Sequence, residues 1–112
     1  MNFCAKAMRI SFSPYKLRPI VDVIRGKSVS QALAWLSTYQ VKRVVPIRKL
    51  VESALANAVY AHEDLDVERL IVGEIKVDQG PTRKYFKPGA MGRAMPQKKR
   101  TSHISVVLTV KA

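Results

Sequence analysis

The sequence predicts an α+β domain: three helices packed on a small three-stranded antiparallel sheet, with one long basic β-hairpin protruding from it. Three observations carry this expectation. Apolar residues recur at helical spacing in three segments before His62. They alternate with a period of two around Glu74–Asp78 and His103–Lys111. Finally, from Gln79 onward there are eight Lys or Arg (Arg83, Lys84, Lys87, Arg93, Lys98, Lys99, Arg100, Lys111) and not one Asp or Glu.

In the first helical segment, Ser13-Pro14 supplies a cap and a first-turn proline. Leu17, Ile20, Val21 and Ile24 follow at spacing i, i+3, i+4, i+7, and Gly26 ends the run. Pro19 lies inside this helix, where it lacks a backbone N–H and crowds the Tyr15 carbonyl, so a kink or a tight first turn is expected. Ser28-x-x-Gln31 is a capping-box pattern, and Val29, Ala32, Leu33 and Leu36 continue a second, shorter helix to about Thr38. The third runs from about Lys42 to His62, with Val44, Ile47, Val51, Leu55, Ala58 and Val59 on one stripe and Pro46 tolerable in the first turn. Trp35 and Tyr39 lie off the main stripe of the second helix and either cover the core edge or meet a partner.

The strands follow from alternation. Ile75 and Val77 alternate with Glu74, Lys76 and Asp78; Ile104, Val106, Leu108 and Val110 alternate with His103, Ser105, Thr109 and Lys111. Phe3 to Ser11 is less regular but β-compatible, giving a third strand. At 112 residues the chain is expected to form one domain, residues 1–112, with no internal repeat or linker.

Between the last two strands lies GPTRKYFKPGAMGRAMPQKKR. A structureless stretch of this length is unusual inside a compact domain, so it is either disordered or a continuation of both strands. Continuation is the reading adopted, with residues 79–103 as an extended hairpin. The midpoint of Asp78 and Ile104 is residue 91, inside Gly89-Ala90-Met91-Gly92, where a turn with unusual φ is cheapest. A dozen residues per arm would reach roughly 40 Å at about 3.3 Å per residue. Such a ribbon is marginal in water, so its order should come from what it penetrates. Arg83, Lys84, Lys98, Lys99 and Arg100 would neutralise phosphates, contacts that position without reading sequence. Tyr85 and Phe86 either stack on unpaired bases or pack across the ribbon.

The whole chain carries 20 basic and 8 acidic residues, a net charge of +12; the first 78 residues account for +4 and the remainder for +8. Self-repulsion of that size points to a polyanionic partner, nucleic acid before membrane. No apolar run approaches the roughly 18–20 residues that span a bilayer, and the basic arm is not an amphipathic helix. MNFCAKAMRI lacks the apolar stretch of a signal peptide, and the single Cys4 excludes an intrachain disulfide; a reducing location is expected, the cytoplasm or, for an organelle-encoded protein, an organelle interior. His62 and His103 have no ligand at metal spacing, and the acidic segment Glu63 to Glu68 lacks the glycine and spacing of a calcium loop, so no metal or cofactor is expected. His103 is expected to bond backbone or phosphate. No phosphate loop, nucleophile elbow or paired carboxylates suggest an enzyme. The alternative to an RNA-bound component is an architectural DNA-binding protein with a basic β-ribbon arm. That class normally works as a dimer, and nothing in this sequence suggests a homo-oligomer.

The strings IRGKSVSQAL (24–33), ESALANA (52–58), VDQGPTRK (77–84), PGAMGRA (88–94) and KRTSHISVV (99–107) closely resemble the large-subunit ribosomal protein 22 family of the bacterial type. Their order and spacing match from Ser11 to Val107. The resemblance implies a cytoplasmic structural protein of the large ribosomal subunit that binds large-subunit rRNA and aids subunit assembly. In this family the hairpin tip lines the polypeptide exit tunnel, facing protein 4 and the nascent polypeptide. Carried over by position, Gly89, Ala90, Met91, Gly92 and Arg93 form the tip. Arg83, Lys84, Lys87, Arg93, Lys98, Lys99, Arg100 and His103 belong to the RNA-threading arm, and Lys16, Arg18, Arg25 and Lys27 to the RNA-binding surface of the globular part. The family usually carries Arg at the position of Gly89, Lys or Arg at that of Met91, and an acidic-basic pair where Met95-Pro96 stands. Tyr15 stands where Arg is common, and Pro19 where an aliphatic residue is common. The tip of this chain is thus expected to be less charged and more apolar than is usual.

Overall fold

The computed structural model describes residues 2–64, 66–92 and 94–110. The chain runs β1 (Asn2–Ile10), α1 (Pro14–Ile24), α2 (Val29–Thr38), α3 (Val44–Ala61), a 3-10 turn (Val67–Arg69), β2 (Leu70–Gln79), β3 (Arg83–Pro88), β4 (Ala94–Lys99) and β5 (Ser102–Val110). The α+β expectation holds, and so does the third strand at the N-terminus. β1, β5 and β2 form an antiparallel sheet in that order, so β5 is central, and β3 and β4 pair as a separate two-stranded ribbon.

Each core element buries one face. In β5, Ile104, Val106 and Leu108 are buried while the intervening residues are partly exposed. These three meet Val72, Ile75 and Val77 from β2, Phe3 from β1, and the inner faces of the helices in one cluster. α3 packs across β1 and β5, α1 lies along β2, and α2 packs on α3.

The helices follow their signals closely. The Ser28 hydroxyl accepts from the Gln31 amide at 3.3 Å, forming the expected N-cap of α2. In α1 the Lys16 amide donates to the Ser13 carbonyl at 3.1 Å, an i→i−3 bond that makes the first turn tight, and the helix continues through Pro19 to Ile24. Pro46 falls in the first turn of α3. The stripe of that helix is displaced from expectation: Leu50 and Ala54 are buried, whereas Leu55 is only half-buried and Val59 is exposed. The buried residues Val44, Ile47, Val51, Ala54 and Ala58 keep strict 3-4 spacing, and Val59 is one position beyond that face.

Two features of the sheet set the arm. First, β2 is an edge strand and longer than the alternating core of the sequence showed, beginning at Leu70. Its outward backbone is covered from the α1 side. The Arg25 guanidinium donates to the Ile75 carbonyl at 2.9 Å, Arg18 to the Val77 carbonyl at 3.3 Å, and the Gly26 amide to the Val72 carbonyl at 2.9 Å. Capping an edge this way removes a template for pairing with other chains. Second, β2 and β5 do not run uninterrupted into the hairpin. Their ladder ends at Gln79 opposite Ser102, and the ribbon begins at Arg83 opposite Lys99, leaving three residues on one side and two on the other. This mismatch makes an irregular root, residues 80–82 and 100–101.

The radius of gyration is 17.3 Å, with principal extents of 65, 25 and 18 Å. A compact chain of this length would have a radius near 13 Å. The projecting ribbon accounts for the difference.

Candidate nucleic-acid interface

The ribbon is cationic on both faces. Arg83 pairs with Lys99 and Lys84 with Lys98, directly opposite one another across the ladder. Like charges in that arrangement repel and destabilise a sheet. With the two-residue alternation of a strand, Arg83 and Lys99 lie on one face with Tyr85 and Lys87; Lys84 and Lys98 lie on the other with Phe86. Among the described residues of the arm there is no carboxylate to separate these pairs. Every residue of β3 is exposed. The Lys87 ammonium sits 6.0 Å from the Tyr85 ring centre, and Phe86, opposite Pro96, keeps 70% of its surface in solvent. Packing across the ribbon therefore leaves a flat, accessible ring surface available for stacking.

At its root the arm is braced. The Gly80 amide donates to the Thr101 carbonyl at 2.9 Å, and the Thr101 hydroxyl donates to the Pro81 carbonyl at 2.7 Å. A side chain at Gly80 would put its Cβ 2.5 Å from the Thr101 hydroxyl oxygen, so glycine is required there by close approach. The Ser102 hydroxyl, fully buried, donates to the Phe12 carbonyl at 2.6 Å and ties β5 to the segment before α1. The Tyr15 ring has two guanidinium groups near it, Arg18 at 5.5 Å and Arg100 at 6.0 Å from its centre. This contact joins helix α1 to the arm by cation–π attraction.

Two clefts flank the root. One, of about 480 Å³, is lined by Arg9, Ser11, Pro81, Thr82, Arg83, Lys99 and Thr101. The other, of about 320 Å³, is lined by Ser11, Phe12, Ser13, Lys16, Lys98, Lys99 and Arg100. Both are basic and contain no carboxylate, an environment suited to phosphate.

The residues singled out from the sequence thus divide. Arg83, Lys84, Lys98, Lys99 and Arg100 gather on the ribbon and its root, and Lys16 joins them from α1. Lys87 is farther out on β3. Arg25 and Lys27 lie at the opposite end of α1. Arg25 is occupied by a 2.6 Å ion pair with Asp22 and by the Ile75 carbonyl, and the Lys27 backbone bridges to Val72, its carbonyl accepting at 2.9 Å. His103 bonds backbone, as one of its two expected roles: its Nδ1 accepts from the Arg9 amide at 3.0 Å. Arg93 lies outside the described residues. Trp35 is half-buried against the core, with Tyr39 stacked on it at 5.1 Å and more exposed. Glu63, Asp64, Asp66 and Glu68 form a solvent-exposed turn in which the Asp66 carboxylate accepts from the Glu68 amide at 3.1 Å. Among the described residues no three His, Cys, Asp or Glu gather around a common point.

The tip differs from the stem. Ala90–Gly92 form the reversing turn, with Met91 at φ 59° and Gly92 at φ 73°, two left-handed residues in succession. Glycine was the expected bearer of such a conformation, and Met91 shares it at a cost of about 1–2 kcal/mol. Its side chain is fully exposed.

Sequence reading missed Arg9, Thr82 and Thr101. Arg9 sits in a weakly patterned strand, and only the irregular β1–β5 pairing brings it to the arm. The Gly80-Pro81 pair marked a turn but not the wall of a cleft.

The profile of the family described as "Ribosomal protein L22p/L17e" matches residues 5–109. The protein named "Large ribosomal subunit protein uL22" of Desulfitobacterium hafniense (strain Y51) is 50% identical over 107 residues, covering 96% of this chain and 93% of that one. The protein of the same name from Desulforamulus reducens is 50% identical over 111 residues, covering 99% and 97%.

Proposed function

Because the chain belongs to the ribosomal protein L22p/L17e family, a family of ribosomal structural proteins and not of enzymes, we propose that it is a structural constituent of the large subunit of the cytoplasmic ribosome. In this reading residues 1–112 act as one unit, and residues 79–103 form a hairpin that threads large-subunit rRNA. The observation that carries the reading is the pair of cross-strand like-charge contacts, Arg83 with Lys99 and Lys84 with Lys98, on a ribbon in which none of the described side chains is buried. Such a ribbon gains little from its own packing and much from phosphates on either side of it. Lys16, Arg18 and Arg100 extend the contact surface around Tyr15 at the root, and Lys27 and the exposed edge of Arg25 extend it along α1.

The tip, Gly89 to Arg93, lines the polypeptide exit tunnel opposite protein 4, where it faces the passing nascent chain. What supports this is its chemistry: small residues and the fully exposed thioether of Met91 offer passing peptide no fixed charge among the described residues. Aid to subunit assembly follows if the arm orders together with the RNA strands it separates.

The test is sedimentation. The protein is expected to remain with the large subunit through a high-salt wash, as a component whose arm is enclosed by RNA would. Recovery only in soluble fractions, or only with free DNA, would sink the proposal, the latter in favour of an architectural DNA-binding protein.

A further inference from the structure

We propose that the cleft between β1 and the hairpin root is a preformed site for one backbone phosphate of RNA, with Arg9 as a binding residue and His103 as the positioning residue that holds Arg9 in place. The inference rests on the reading that the arm binds RNA, and it adds Arg9 to the interface, a residue that no sequence motif singled out.

Arg9 has φ 56°, a left-handed conformation disfavoured for any residue with a Cβ. It lies in an irregularity of the β1–β5 ladder. Ala7 pairs with Ile104 and Ile10 with Ser102, so three steps on β1 meet two on β5. A bulge of this kind re-aims a side chain, and such features concentrate at functional sites. The conformation is held by a specific bond, the Arg9 amide donating to Nδ1 of His103 at 3.0 Å. The ring accepts at that nitrogen, which places its proton on Nε2.

The result is three cations from three strands on one cleft: Arg9 from β1, Arg83 from β3 and Lys99 from β4. Ser11 and Thr82 add hydroxyl donors, and no carboxylate lines the cleft. Arg83 and Lys99 face each other across the ladder, so an anion between them converts repulsion into attraction at both. The wall behind has no slack, because Gly80 packs against the Thr101 hydroxyl and within 3.2 Å of the His103 ring, measured from where a Cβ would stand. The cleft is thus fixed before RNA arrives, unlike the outer ribbon.

The full chain and a transcript of large-subunit RNA test this by the slope of log affinity against log salt. Arg9→Gly removes the cation and suits the left-handed backbone. It is expected to keep or raise the thermal midpoint while lowering the slope by about 0.7–0.9, one phosphate contact. His103→Leu should lower the slope by the same amount, His103→Asn should restore it by offering an acceptor near Nδ1, and the double variant Arg9→Gly, His103→Leu should lose no more than either alone. Inorganic phosphate should shift the Arg9 and Thr82 amide resonances of the wild type. An unchanged slope in Arg9→Gly overturns the site. If Lys98→Gln, Lys99→Gln and Arg100→Gln together still lower the slope, the RNA reading survives that failure; if they do not, that reading fails as well.

Discussion

In the base, β5 alternates buried and exposed residues and its apolar side chains close a core shared by all three helices. In the arm, all six residues of β3 are exposed, and two of the facing pairs, Arg83 with Lys99 and Lys84 with Lys98, repel. The same secondary structure is therefore held by opposite means. The sheet of the base is stabilised by apolar area removed from water, about 25 cal/mol per Å². The ribbon has backbone hydrogen bonds and a braced root, and its charges become favourable only beside an anion. One chain thus contains a part closed by an apolar core and a part that carries its charge in solvent.

The sharpest way to break this comparison is to remove one apolar side chain from each region. Leu108→Ala, in the fully buried central strand, is expected to cost about 2–5 kcal/mol in chemical denaturation. Phe86→Ala, in the exposed ribbon, should change stability by less than about 0.5 kcal/mol. Comparable losses would mean that the arm has a core of its own.

Charge should show the inverse pattern. Changing Lys98, Lys99 and Arg100 together to Gln is expected to reduce the log-log salt slope of RNA binding by roughly 2–3, at about 0.7–0.9 per phosphate, and to leave thermal stability unchanged or slightly higher. An unchanged slope would place these side chains in solvent.

Gly80 tests the joint between the two regions. Gly80→Val drives a side chain into Thr101 and should destabilise by about 1–3 kcal/mol. Amide exchange should quicken at residues 80–82 and 100–101 before it does so in the centre of β5. Arg25→Ala, which frees the Ile75 carbonyl at the sheet edge, should cost about 1 kcal/mol, with faster exchange confined to that side of β2.

The smallest effect concerns pH. On the exposed edge strand, the Glu74 carboxylate accepts a 2.8 Å hydrogen bond from the Lys76 ammonium, and the bond and the charge together hold the Lys76 pKa above its ordinary 10.5. A raised pKa means that this contribution is fully present below the ordinary value and fades as pH rises through the higher one. Glu74→Gln should move the Lys76 titration, followed by NMR, back down, with no measurable change in stability at neutral pH.

Much of this was legible in the sequence because the signals are local. Ser28 and Gln31 announce the start of α2, alternation in 103–110 announces β5, and the absence of acids after Asp78 announces a cationic arm. The hairpin apex at residue 91 followed from symmetry about two strands, and the paired residues do sum to twice that number, as in Arg83 with Lys99. The family resemblance from Ser11 to Val107 agrees with a matched span of 5–109. Local pattern was less informative where several elements compete for one face. Leu55 and Val59 carried the same apolar signal as Leu50 and Ala54, and only packing against β1 and β5 selected the latter pair.

By itself, then, the sequence determined the element order, the cationic arm and the partner class, since each depends on neighbours in the chain or on charge that no fold can remove. Tertiary structure alone decided that the arm is a ribbon separate from the sheet, that Arg18 and Arg25 tie α1 to an edge strand, and that Arg9, 94 residues from His103, bonds to it beside the root. Those relations depend on register. A one-residue excess at 80–82 and another before Ile10 bend strands away from their ladders, and no short-range pattern of residue types records where such an excess will be placed.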